Sequence, residues 1–212
     1  MRTAVVTLAA FSLVLVGGCD DSSTDDAATG SASSDAGSDA GSDAGDSADG
    51  DDGGTAAGCN EVATALISAI NDERANVGLP AIEASPSLCH VAQTHSEDQV
   101  AVPPAGECNL HSWSDQGEWS ACCYTSDHAE AECMWGKPGE LTNYPSNGFE
   151  ISAAGYATPA DAVQGWMGSD GHRAVMLNEG SWANMDWQAV GAGQAGSYYN
   201  VWFGTDVDPG FP

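Results

Sequence analysis

From Asp20 to Gly58 the chain contains no aromatic residue, no Leu, Ile or Val, and no Lys or Arg. Such a stretch cannot bury enough apolar surface to offset the entropy of ordering it, so whatever folds here begins at Cys59. Eleven aspartates alternate there with Ser, Ala and Gly, and Ser34 to Gly45 reads Ser-Asp-Ala-Gly three times. This is low-complexity repetition, because solenoid units run to roughly twenty residues or more. Self-repelling charge makes residues 19–58 an extended, disordered linker.

Ahead of it, Arg2 precedes the apolar run Val5 to Val16 and the small pair Gly17-Gly18, which ends at Cys19. A charged start, an apolar stretch of about a dozen residues and small residues before a cleavage point make residues 1–18 a secretory signal, too short for a stop-transfer helix. The run into Cys19 resembles a bacterial lipoprotein signal, which implies cleavage before Cys19 and a lipid on its sulfur. The protein is therefore expected to be exported and held by Cys19 at the cell envelope or extracellular surface, the linker spacing a folded domain away from the membrane.

Residues 59–212 hold all seven Trp and suit one domain with a real core. Of the 31 acidic residues, the 11 in the linker leave 20 in the domain against Arg74, Lys137 and Arg173, a balance near minus 17. Nucleic-acid binding rests on Lys and Arg displacing counterions, so a phosphate backbone is excluded as a partner. Cations are the more natural company, although acidic surfaces commonly serve solubility alone.

Cys59, Cys89, Cys108, Cys122, Cys123 and Cys133 are an even set in an exported chain, where thiols oxidise, and three disulfides are expected. The paired Cys-x-x-Cys knuckles of a zinc site are missing. Adjacent Cys122 and Cys123 should go to different partners, because a vicinal bridge closes a strained ring. Pairing beyond that stays open. His128-Ala129-Glu130 copies half of a zinc deaminase signature, but the Pro-Cys-x-x-Cys half is absent.

Periodicity places a helix from Asn60 to about Asn76, with Val62, Leu66 and Ile70 at helical spacing and Gly78 and Pro80 ending it. Ser85-Pro86 opens a second, with Leu88, Val91, Ala92 and His95 inward. Thr158-Pro159-Ala160-Asp161 opens a third as a capping box, broken at Asp170-Gly171, and a short turn follows from His172 to Leu177. Trp187 to Gln194 and Tyr198 to Phe203 read as a hairpin about Ala195-Gly196. Gly191 and Gly193 in its first strand signal a bulge or a close backbone approach. Pro103 to Asn147 reads as disulfide-stapled loop.

Three segments carry chemistry: Asn109-Leu110-His111-Ser112, Phe149-Glu150-Ile151-Ser152, and Trp166-Met167-Gly168-Ser169-Asp170-Gly171-His172-Arg173. With Asn71-Asp72-Glu73-Arg74 before them and Val190-Gly191-Ala192-Gly193 and Tyr199-Asn200-Val201-Trp202-Phe203 after them, their order resembles the CAP superfamily of cysteine-rich secretory, antigen 5 and plant pathogenesis-related proteins, in its bacterial form. The resemblance covers about Asn60 to Asp206. It implies an α+β fold, a three-layer α-β-α sandwich around a mostly antiparallel sheet. It also implies a pocket of two His and two acidic residues, which in several members binds zinc.

Carried over by motif, His111 matches the first pocket His, Glu150 the family's Glu and His172 the second His. Phe149 and Ile151 stand where the family has Gly and Asn around that Glu, and Ser169 stands at the second acidic position, leaving Glu118 or Asp170 to approach the pocket. His111 and His172 are the candidate metal ligands, since neutral imidazole binds zinc and a Glu can orient it. Two His alone would hold zinc weakly. His95, on the face of Leu88 and Val91, is read first as a core histidine and second as pocket lining, while His90 and His128 are read as surface. Two function classes follow. One is a non-enzymatic module binding an extracellular lipid, peptide or glycan; the other is a metal-assisted hydrolase in which Glu150 activates water. No Gly-x-Ser-x-Gly elbow occurs and every domain Cys is wanted for a bridge, so a covalent mechanism has no nucleophile and binding is the favoured class.

Overall fold

Asn60 caps the first helix by accepting from the Ala63 N–H at 2.8 Å. That helix, α1, is Glu61–Asn76, with Glu61 in its first turn and Arg74 in its last, both favourable to the helix dipole. Residues 58–210 are described by this computed structural model. The expected signal, Cys19 and residues 20–57 lie outside the described residues. Helix α2, Pro86–Ala101, is capped by Ser85 and has Pro86 in the first turn, where no N–H is needed. The Asp208 carboxylate returns to this same end, accepting from Ser85 Oγ at 2.5 Å, Ser87 Oγ at 2.8 Å and the Ser87 N–H at 2.9 Å.

The stretch expected to be stapled loop holds two short helices, α3 (Ala131–Trp135) and α4 (Lys137–Leu141). They fall below the length at which helical periodicity can be read, and packing rather than propensity sustains them. Strand β1, Gly148–Ala154, follows. Helix α5 is Pro159–Gly168, with Thr158 accepting from the Asp161 N–H, and α6 is Asp170–Met176. The break between them falls on Ser169, whose backbone is extended, and Asp170-Gly171 belongs to α6. Strands β2 (Ala189–Ala195) and β3 (Tyr198–Gly204) form the hairpin, β2 beginning two residues later than expected.

The sheet runs β1-β3-β2 with both pairings antiparallel, and a parallel bridge from Ala84 to Val190 extends it. Register places Glu150 and Ser152, Trp202 and Asn200, and Gly191 and Gly193 on one face. Helix α2 covers that face, tied to it by Asn200 Nδ2, which donates to Ser96 Oγ and Gln99 Oε1 at 2.8 Å each. The other face is apolar: Ile151, Ala153, Val190, Ala192, Val201 and Phe203 pack with Leu66 and Ile70 of α1, Trp166 of α5 and Met176 of α6. Three layers result, α2 over the sheet over the remaining long helices, as the resemblance implied.

Of the two readings for Gly191 and Gly193, close approach is the one realised. A Cβ on Gly191 would lie 2.1 Å from the Leu88 carbonyl carbon, and one on Gly193 would lie 2.2 Å from the Gln93 nitrogen, while the ladder runs unbroken from Ala189 to Ala195. The six cysteines form three disulfides, Cys59–Cys89, Cys108–Cys123 and Cys122–Cys133. The adjacent pair does take different partners.

Candidate functional site

Helix α2 presents three polar side chains to one loop. His95 Nε2 faces the Ser112 carbonyl at 2.9 Å, Gln99 Nε2 donates to the Leu110 carbonyl at 2.6 Å, and the Asp98 carboxylate accepts from Ser114 N at 2.8 Å and Ser114 Oγ at 2.5 Å. At i, i+3 and i+4 these residues share one helical face, so a single helix fixes the loop from Leu110 to Ser114. The loop's far side is pinned by paired bonds between Trp113 and Cys122, by Asn109 N to the Tyr124 carbonyl at 2.9 Å, and by Cys108–Cys123. His111 stands at its centre.

Strand β1 brings Glu150 beneath it. Both carboxylate oxygens are taken: Oε1 by His95 Nδ1 at 2.5 Å and Oε2 by His111 Nδ1 at 2.9 Å. The Glu150 and His95 side chains are fully buried, whereas that of His111 is 16% exposed, so His111 is the face this trio shows to solvent. Burial by itself pushes the Glu150 carboxyl up, but the charges and hydrogen bonds of His95 and His111 outweigh it and hold the group at about 2. His95 stacks on Trp113, with ring centroids 4.3 Å apart and planes 8° from parallel. His111 meets the edge of Tyr124 at 5.2 Å, and the Tyr124 hydroxyl is bonded to His128 Nδ1 at 2.6 Å.

The motif-derived pair His111 and Glu150 is thus brought into contact, and His95, read first as a core residue, is both core and partner. His128, expected on the surface, is half-buried and bonded into the rim. His172 is buried on α6 and Ser169 sits at the α5–α6 junction. Asp170 does not supply the second acid: its side chain is 93% exposed and paired with Arg173 at 2.9 Å. Glu118 is exposed. Sequence reasoning missed Asp98, Gln99, Trp113 and Tyr124. The first two carried a legible signal, polar residues one helical turn beyond a buried His.

Chemically, a Glu accepting from the Nδ1–H of a His fixes the tautomer whose lone pair is on Nε2, the arrangement found behind metal-bound histidines. Among the described residues, however, no group of three or more His, Cys, Asp or Glu is arranged to hold a metal ion. The set does not fit a catalytic zinc centre, which keeps three protein ligands, and no step is derived through one.

Three solved structures are similar to this chain at low identity. An extracellular protein containing an SCP domain from Bacillus anthracis is 19% identical with a TM-score of 0.49, over 68% of this chain and 40% of that one. An outer surface protein of Borrelia burgdorferi is 16% identical with a TM-score of 0.47, over 67% and 90%. A cysteine-rich secretory protein from Staphylococcus aureus is 17% identical with a TM-score of 0.44, over 67% and 37%. The chain therefore spans less than half the length of the Bacillus and Staphylococcus proteins. Comparison with curated proteins gives no match. Residues 67–183, more than half of the chain, match the cysteine-rich secretory protein family, CAP. The chain belongs to the CAP family.

Proposed function

We propose that this CAP domain is an exported, non-enzymatic binding module that takes an extracellular lipid, peptide or glycan at the His111 side of the His95–Glu150–His111 trio and is held at the envelope by a lipid on Cys19. The observation that carries the choice of binding over hydrolysis is the state of Glu150. A carboxylate with both oxygens hydrogen-bonded, no exposure to water and a pKa of about 2 is a poor base. Activating water would require it to surrender a partner and accept a proton against its surroundings.

Export is supported by the leader, by three disulfides suited to an oxidising compartment, and by the extracellular and outer-surface relatives. Zinc enters this reading only as a loosely held ion at His111 and His172. Native mass spectrometry of protein from its source tests the module directly, reporting acyl chains, bound metal and co-purified ligand in one spectrum. A ligand lost in His111→Ala supports the proposal. Cleavage of a peptide or ester substrate that is abolished by Glu150→Gln overturns it in favour of the hydrolase.

A further inference from the structure

We infer that Asn200 is a positioning residue for the candidate site: acting through Gln99, it fixes the rotation of the Leu110–His111 peptide and with it the place of His111 over Glu150. Three buried side chains from three elements form the link. Ser152 Oγ on β1 donates to Asn200 Oδ1 at 2.5 Å, Asn200 Nδ2 on β3 donates to Gln99 Oε1 at 2.8 Å, and Gln99 Nε2 on α2 donates to the Leu110 carbonyl at 2.6 Å. Its starting point is anchored in turn, since the Ser152 carbonyl accepts from Trp166 Nε1 of α5 at 3.0 Å.

Hydrogen-bond capacity gives this chain of bonds one direction. The Leu110 carbonyl only accepts, so Gln99 turns its amide nitrogen to the loop and its oxygen to Asn200. Independently, Ser96 spends its one proton on the Ala92 carbonyl at 3.0 Å, so its Oγ accepts from Asn200, at 2.8 Å. Both demands turn the Asn200 amide nitrogen toward α2, which leaves Oδ1 to face the Ser152 hydroxyl. Flipping either amide sets oxygen against oxygen out of water, and a buried network with a single satisfied arrangement is rigid.

The Leu110 carbonyl and the His111 N–H belong to one peptide unit. Its N–H is held by Asn109 Oδ1 at 3.0 Å and its oxygen by Gln99. The other ties of helix α2 to the loop act further along, His95 at Ser112 and Asp98 at Ser114. Ser152 and Glu150 are two residues apart on one face of β1, so a single strand places the His111 backbone through Asn200 and Gln99 and the His111 ring through Glu150. Calling that place a binding position rests on the proposed function; the mechanical link does not.

Amide hydrogen exchange of the folded protein tests the link with no ligand present, so a failed search for a ligand removes the proposed function and leaves this result standing. The reference is the α1 amides of Leu66 and Ile70, which report the stability of the whole domain. In Asn200→Leu, close in shape and without polar atoms, the His111 and Ser112 amides should exchange about tenfold faster relative to that reference, the equivalent of one buried hydrogen bond. The His111 ring protons, which lie against the edge of Tyr124 at 5.2 Å and feel its ring current, should shift with them. Ser152→Ala, a smaller change that serves where Asn200→Leu does not fold, should act in the same direction, and Ser152→Thr, which keeps the hydroxyl, should restore wild-type exchange. Ser96→Ala, on a branch that ends within α2, should leave the loop as it is. An unchanged ratio of loop to α1 exchange in either folded variant overturns the inference, and so does Ser96→Ala loosening the loop as much as Ser152→Ala.

Discussion

Arg74 Nη1 donates to the carbonyl of Met176 at 2.6 Å across 102 positions of chain, and so joins the last turn of α1 to the end of α6. The same buried guanidinium donates to the Pro80 carbonyl at 3.0 Å and to Asn178 Oδ1 at 2.7 Å, closing the α1 exit and the α6 exit onto one side chain. Asn178 has a positive φ of 53°, a conformation that this contact helps to hold. Arg74→Ala leaves the buried Met176 carbonyl and the part-buried Pro80 carbonyl without this donor. It should cost about 3 kcal/mol in urea unfolding, with no change in the His111 environment.

Gly193 and Gly168 make opposite predictions. A methyl group at Gly193 would collide with the backbone of α2 at Ala92 and Gln93, where no side chain can swing aside, and the displaced segment lies two residues before His95. Gly193→Ala should destabilise the fold by about 3 kcal/mol and shift the His95 resonances. Gly168 closes α5 with nothing within 4 Å of a would-be Cβ, so Gly168→Ala should be stabilising by about 0.5 kcal/mol. Chemical denaturation of the two variants side by side checks the contrast.

Glu150 makes stability depend on pH. Its carboxyl is held at about 2 in the folded protein against an ordinary 4.5. The unfolded chain therefore binds the proton first, and the stabilisation is complete above about pH 4.5 and lost as pH falls through 2. It is on the order of 3 kcal/mol for a group with no solvent screening. Glu150→Gln removes the proton uptake. Acid titration of stability should show wild type losing more than the variant between these limits; parallel curves would mean that Glu150 is not held as an anion.

The disulfides divide by burial. Cys59 and Cys89 are 6% and 2% exposed and close a 30-residue separation, for which chain entropy gives about 3.6 kcal/mol. Cys123 is exposed and Cys108 half-buried. Brief treatment with a mild reductant followed by alkylation and peptide mapping should label Cys108 and Cys123 before Cys59 and Cys89. Full reduction should lower Tm markedly, whereas a chelator should not.

Tethering through Cys19 predicts that wild type fractionates with detergent-extracted membranes and that Cys19→Ala moves to the soluble fraction. Wild type already soluble and without acyl mass would remove the anchor.

Local rules made much of this protein legible from its residues. Asn60, Ser85 and Thr158 mark helix starts because capping is decided within three residues, and the break at Cys59 marks where burial first becomes affordable. The motif around His111, Glu150 and His172 led to the family. What local rules cannot reach is pairing. β1 was hidden because Gly148–Ala154 has one face against α2 and the other in the core, so its alternation of Glu150 and Ser152 with Ile151 and Ala153 does not read as half-exposed. The short helices α3 and α4 were hidden for want of length. Above all, Glu150 meets His95 and His111 across 55 and 39 residues, because β1 pairs with β3 under a helix that Gly191 and Gly193 allow to lie directly on the sheet. The residue types are written along the chain; which nitrogen faces which oxygen, and hence which group carries the charge, is set only when three distant segments are packed out of water.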